Sequence, residues 1–235
     1  MNIVNINVMQ KVKNLKYVLF PGTHVEEIFL PYYQSAYKLW KDVWTETIYE
    51  LDGHKNIFSD DFTRQDEIGA LFDGSECIML SFFKMVDLNL TAHRDDSYFK
   101  VWPKDIIDKL IVNNKPVLIG SNITASQSFR GKHFGLSTKD LLMGLLIKRL
   151  QHTPAGAMTG TMRNNRGMHE CAYRHGATPL KQGLIHHGVE VDLVGFFQDK
   201  VKPCDIPGIQ NLVNTLWKKH LEFLNHVDFR NVSTL

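Results

Sequence analysis

Cysteine is scarce in this chain: Cys77, Cys171 and Cys204 are odd in number, far apart and without a CxxC pair. That spacing argues against a disulfide framework and against a zinc finger. A surplus of either charge is missing too. The 27 basic and 25 acidic side chains leave a net charge of +2, with no basic run, so nucleic acid is not an expected partner. The longest largely apolar run, Leu141–Ile147, falls far short of the ~18 residues a membrane span needs. Internal repeats and low-complexity stretches are absent. Met1–Lys13 alternates apolar and polar residues like a short strand, and lacks the charged start and apolar run of a signal peptide. A reduced, cytoplasmic protein is the simplest expectation.

What is present is 235 residues, 43% hydrophobic and 22% charged, enough for a sizeable core. Thr23-x-x-Glu26 has the form of a capping box, so a helix is expected from near His24, broken or kinked by Pro31. Glu67–Phe72 and Cys77–Phe83 flank Asp73-Gly74 as a hairpin. A short helix is expected from Pro103 to Val112, and a central strand from Pro116 toward Ala125. Ser137-x-x-Asp140 caps a leucine-rich helix. Ala155–Met162 reads as a strand, and Asn165–His175 as a helix stopped at Gly176. Two more strands, 180–185 and 189–197, and an amphipathic helical tail from Ile209 complete an α+β or α/β order around a central sheet.

One stretch carries chemistry. A buried strand runs into Phe129-Arg-Gly-Lys-His-Phe-Gly135 and then a helix. A glycine-containing basic turn at a helix N-terminus is an anion site, because free backbone N–H groups and the helix dipole both favour negative charge. Arg130 and Lys132 add full charges, and a diphosphate is the natural occupant. An ordinary surface turn is the competing reading, weakened by the strand-turn-helix context.

Here the sequence resembles the GNAT superfamily of CoA-dependent N-acyltransferases. Arg130 and Gly135 match its pyrophosphate-loop pattern, and His133 stands where the family has Gly. Aligning Asn165 with a later family Asn puts Gly176 on a family Gly and Ala172, one residue before Tyr173, on the catalytic Tyr. The resemblance covers roughly residues 65–197. A looser one, over residues 33–62 with Trp40, Trp44, Asp60, Asp61 and Phe62, points to the acyl-homoserine-lactone synthases and N-acyl amino acid synthases. Their Glu-x-Ser-Arg-Phe element is not cleanly present in Ser126–Arg130.

The resemblance implies one GNAT-like domain over 1–235: an N-terminal helical elaboration (1–64), a core (65–197) and a C-terminal helical tail (198–235). Its sheet would be mixed and mostly antiparallel, with helices on both faces and a splay between the two central strands. It implies an acyltransferase moving an acyl group from acyl-CoA, or from the phosphopantetheine of acyl carrier protein, to a small-molecule amine or amino acid. The backbone at Ile123–Ala125 would pair with the pantetheine arm, and Arg130, Gly131, Lys132, His133 and Gly135 would hold the phosphates. Asn165 would orient the thioester or a water and Tyr173 would protonate sulfur, although a helix cap and a packed aromatic are their ordinary roles. The base stays open among His133, Glu170, Asp61 and a water chain. Two alternatives remain: an autoinducer-type synthase acylating S-adenosylmethionine, and a GNAT-like binding protein without catalysis.

The one surplus is histidine, 11 residues. His169 and His175 are six apart and face away from each other around a helix, and His186-His187 point to opposite faces of a strand. No metal site is expected from either pair, and Cys171 reads as a small buried hydrophobe. The Trp217/His220/Leu224 stripe is either internal packing or a homodimer seam, with packing the commoner fate.

Overall fold

A computed structural model describes residues 14–53, 56–133, 136–202 and 206–223. The expected strand at Met1–Lys13, Gly135, Cys204 and Leu224 lie outside them.

The elements follow in chain order: β1 (Leu15–Phe20), α1 (Leu30–Asp52), β2 (Glu67–Asp73), β3 (Glu76–Val86) and β4 (Val117–Ala125). A small hairpin, β5 (Lys132–His133) and β6 (Leu136–Ser137), leads into α2 (Thr138–Gln151). Then come β7 (Ala157–Arg163), α3 (Met168–Arg174), β8 (Thr178–His186), β9 (Val189–Phe197), α4 (Pro207–Lys218) and β10 (Leu221–Glu222). Eight strands form one sheet in the order β10-β1-β2-β3-β4-β7-β9-β8. Only the β1–β10 and β4–β7 pairs are parallel. This is the mixed, mostly antiparallel sheet expected from the sequence.

Alternation along the strands divides the core. Tyr17, Leu19, Leu71, Met79 and Phe83 face α2, whose Leu141, Leu142, Leu145, Leu146 and Leu150 are buried against them together with α4. Val18, Phe20, Ile68, Phe72 and Phe82 face α1 and pack on Trp40 and Phe62. The segment between β3 and β4 covers the same face beside α1 through Phe99, Trp102, Ile106 and Leu110. Among the described residues no helix is long and apolar enough to cross a membrane.

Several sequence expectations change. The helix does not start near His24. A 3-10 turn at Glu27–Phe29 precedes α1, and Pro31 sits in the first helical turn, where its missing N–H costs nothing. Pro31 therefore starts the helix instead of kinking it. The helix over Pro103–Val112 contracts to Lys104–Asp108. The tail is not helical throughout. After α4 ends at Lys218, Leu221 and Glu222 pair in parallel with Val18 and Leu19. Trp217 packs within the chain against Tyr17 and His152.

One ion pair ties α2 to the sheet. Arg149 holds both oxygens of Glu67 on β2, its Nε lying 2.5 Å from Oε2. Both side chains are at least four-fifths buried. Removing one partner leaves a desolvated charge, so Arg149→Met should cost about 3 kcal/mol, read as a lower urea midpoint at constant slope. The double variant Glu67→Leu/Arg149→Met should recover most of that loss. An unchanged midpoint in the single variant would show that the pair anchors nothing.

Candidate active site

The sheet is opened from within β4. On its β3 side, Leu80 pairs with Thr124 and Phe82 with Ser121. Two β4 residues, Asn122 and Ile123, thus oppose the single Ser81, which is a β-bulge. Asn122 takes the left-handed conformation at φ 49°, one that Asn tolerates better than most residues. Two tryptophans of α1 hold it there. Trp40 Nε1 donates to Asn122 Oδ1 at 3.0 Å, and Trp44 Nε1 to Thr124 Oγ1 at 2.9 Å.

The other side of β4 shows the result. It pairs with β7 only over Val117–Ile119 and Ala157–Thr159. Beyond that the two strands part, as expected from the sequence, and the gap opens into a chamber on each face of the sheet. Gly120, Ser121, Asn122, Thr161 and Arg163 border both.

The α2-side chamber holds about 470 Å³. It brings Ile123, Ala125, Arg130, Gly131 and Asn165 together from separate elements. Thr138, Lys139 and Arg166 join them, and Leu142, Met162 and Met168 give it an apolar wall. Sequence reasoning missed Lys139, although a basic residue in the first turn of the helix after the glycine loop was a usable signal.

The loop itself differs from the expected tight turn. Lys132 and His133 pair with Ser137 and Leu136 as a two-stranded hairpin. Its base is Gly131, at φ 95°, whose carbonyl accepts from both the amide and the hydroxyl of Thr138. Ser137 Oγ accepts from the amide of Asp140. Two first-turn N–H groups of α2 are therefore used inside the protein and are not free for an anion, unlike the turn expected from the sequence.

The α1-side chamber holds about 520 Å³ between α1 and the β3–β4 segment. Trp40, Trp44 and Ile48 line it from α1, and Tyr98 and Lys100 from the segment. Its ionic groups are mostly paired: Arg64 with Asp61, Lys84 with Asp96 at 2.6 Å, and His187 with Asp52 at 2.7 Å. His186 and His187 do not point to opposite faces as expected. His187 lies beyond the end of β8 at φ 49°, which turns its ring to 4.1 Å from that of His186. Burial, then the charges of His187 and Lys100, hold His186 below the ordinary imidazole range.

Tyr173 lines neither chamber. Its hydroxyl donates to Asp192 Oδ2 at 2.5 Å and accepts from Gln182 at 3.2 Å. Burial and that carboxylate push the phenol up to about 12. Asp192 also accepts from Asn164 and the Gly183 amide, so this cluster fastens α3 to β8 and β9.

A second polar cluster joins α2 to α3. Asp140 Oδ1 accepts from His175 at 3.0 Å, Arg174 at 3.1 Å and the Cys171 thiol at 3.6 Å. Cys171 is thus more than the small hydrophobe expected. These three groups have metal-ligand types, but Arg174 brings a positive charge to the shared carboxylate, which favours a hydrogen-bond knot. Burial raises the Cys171 thiol to about 12.

No protein family and no curated protein matches this chain by sequence. Among solved structures, the CoA-dependent acyl-homoserine lactone synthase BjaI, with SAM and isopentyl-CoA, gives a TM-score of 0.55 at 10% identity over 88% of this chain and 92% of that one. The AHL synthase LasI gives 0.52 at 10% identity over 88% and 96%.

For Asp140, burial opposes the charge, but hydrogen bonds from Ser137, His175 and Arg174 outweigh it and hold the carboxyl below its usual range. Its stabilisation should be complete above the ordinary carboxylate pKa, near 4, and lost as pH falls through the lower folded value. Asp140→Asn should cost about 2 kcal/mol at neutral pH and flatten the acid limb of a stability–pH profile. An acid limb identical to wild type would refute the assignment. Taken with the opened sheet, the superpositions show that this chain shares the fold of these synthases.

Proposed function

We propose that the protein is an N-acyltransferase that moves an acyl group from an acyl thioester to the amine of a small molecule or amino acid. The observation that carries the reading is the parting of β4 and β7 into two chambers that meet at one gap. Two substrates entering from opposite faces would meet there, which makes the encounter effectively unimolecular.

The donor enters by the α2-side chamber. Arg130 and Lys139, with Gly131, Lys132 and His133 and with Gly135, which lies outside the described residues, take the phosphates. The backbone of Ile123–Ala125, unpaired with β7, meets the pantetheine arm, and the Leu142–Met162–Met168 wall receives apolar chain. The free phosphopantetheine arm of acyl carrier protein fits the same path. The acceptor enters by the α1-side chamber.

The amine nitrogen attacks the thioester carbonyl, the carbon–sulfur bond breaks, one proton leaves nitrogen and one reaches sulfur. Asn165, at the donor chamber, is the better placed of the two expected residues to orient the thioester. Tyr173 has a phenol that stays protonated at neutral pH, as an acid must, but it has to release Asp192 before acting on sulfur. His186, held neutral, is a proton acceptor on the acceptor side.

The Tyr173 placement favours a second reading, a domain that binds acyl thioesters without turnover. Calorimetric titration with acyl-CoAs and acyl carrier proteins tests what both share: Arg130→Ala should weaken acyl-CoA binding about 10-fold, or about 1.4 kcal/mol. No binding of any thioester by the wild type would sink both readings. Turnover across an amine panel separates them. With S-adenosylmethionine as acceptor, methylthioadenosine among the products would mark lactone closure.

A further inference from the structure

Arg163 is the last residue of β7 and borders both chambers at the gap. Strand alternation fixes its side. Met158 and Met162 point into the α2-side core. Thr159 and Thr161 point the other way, bonded to the Tyr98 hydroxyl at 3.0 Å and the Trp102 indole at 3.3 Å. Arg163 shares the parity of the threonines and so faces the α1-side chamber.

Its chemistry there is incomplete. The Nε of Arg163 is buried without a hydrogen-bond partner. Among the described residues no carboxylate pairs with its guanidinium. The nearby Glu50 is taken by Arg166 at 3.1 Å, Asp61 and Asp96 are each held by their own cation, and Asp52 is held by His187. A buried guanidinium N–H left unsatisfied costs free energy that a bound acceptor group would recover. The planar fork of Arg matches a carboxylate in two parallel bonds. Lys100, the other cation in this chamber without an ion-pair partner, is exposed to solvent, where its charge is already hydrated.

We infer that Arg163 is an anion subsite of the α1-side chamber and binds the carboxylate of an amine-bearing acid. The inference rests on the acyltransferase reading for which end of the ligand reacts. A carboxylate on Arg163, at the mouth of the gap, leaves an amine one or two bonds away directed at the opening between β4 and β7. The chamber then selects amino acids over simple amines and over amino acid amides.

Binding, not turnover, is the test. The common L-amino acids and their carboxamides are titrated calorimetrically against wild type, Arg163→Lys and Arg163→Met, with and without saturating CoA. At least one amino acid should bind wild type about 100-fold more tightly than its carboxamide. Arg163→Met should abolish that ratio, and Arg163→Lys should keep part of it through charge alone. Thermal melts of both variants report whether the fold is intact, and the Lys variant preserves the test if the Met variant fails to fold. Equal binding of acids and amides, absence of binding by the whole panel, or discrimination that survives in Arg163→Met overturns the inference. A parallel acyl-CoA titration separates the two readings. Carboxylate-dependent binding without thioester binding removes the acyltransferase reading and leaves the subsite standing, and the converse removes the subsite alone.

Discussion

Two indole hydrogen bonds hold the sheet open. They grip β4 at Asn122 and Thr124; Asn122 is the one β4 residue in a left-handed backbone conformation, and the bulge around it turns the strand away from β7. Without it, parallel pairing would continue past Ile119 and Thr159, and the backbone groups now facing the gap would satisfy one another. The opening is therefore an imposed conformation, and α1 imposes it. Trp40 is buried among Tyr37, Phe62 and Phe82, so its ring cannot move without disturbing the packing of that face. The helix lines both chambers, through Trp44 above all, and is the reason that they exist.

The charges are arranged to different ends on the two faces. On the α2 side, Arg130, Lys139 and Arg166 gather at one opening, with Glu50 as the acid paired to Arg166. On the α1 side, acids and bases alternate in short-range pairs, and the half-buried Arg163 is the exception. A nearly neutral chain, +2 overall, thus carries a local positive field at one mouth and a largely compensated interior at the other. Net charge reports none of this, because it averages over two surfaces separated by a sheet.

Much of the fold was legible in the sequence, because local signals and tertiary structure agree there. The Asp73-Gly74 hairpin, the Ser137 cap and the leucine stripe of α2 are each specified within a few residues. The splay between the central strands followed from resemblance, not from any local pattern. Pro31 was misread because a proline in the first turn and one inside a helix differ only by where the helix begins. Leu221–Glu222 left no signal, since a two-residue strand has no periodicity. In the site, Ile123, Ala125, Arg130, Gly131 and Asn165 share one chamber, and Tyr173 stands outside it. A one-residue offset on a helix turns a side chain by about 100°, enough to move Tyr173 onto Asp192. Arg163 escaped notice because its meaning lies in what it lacks, an ionic partner, which only three-dimensional neighbours reveal.

The pairing of β10 with β1 places the first and last described strands side by side. Phe223 extends the contact: its amide donates to Leu19 O at 2.8 Å, and its ring stacks on Phe29 at 3.4 Å between centroids. Glu222 reaches Arg149 at 4.0 Å. Among the described residues, this late segment thus touches the earliest strand and helices from both faces. The two strands lie far apart in sequence, so their pairing closes a long loop and bears that loop's entropy cost before any contact offsets it.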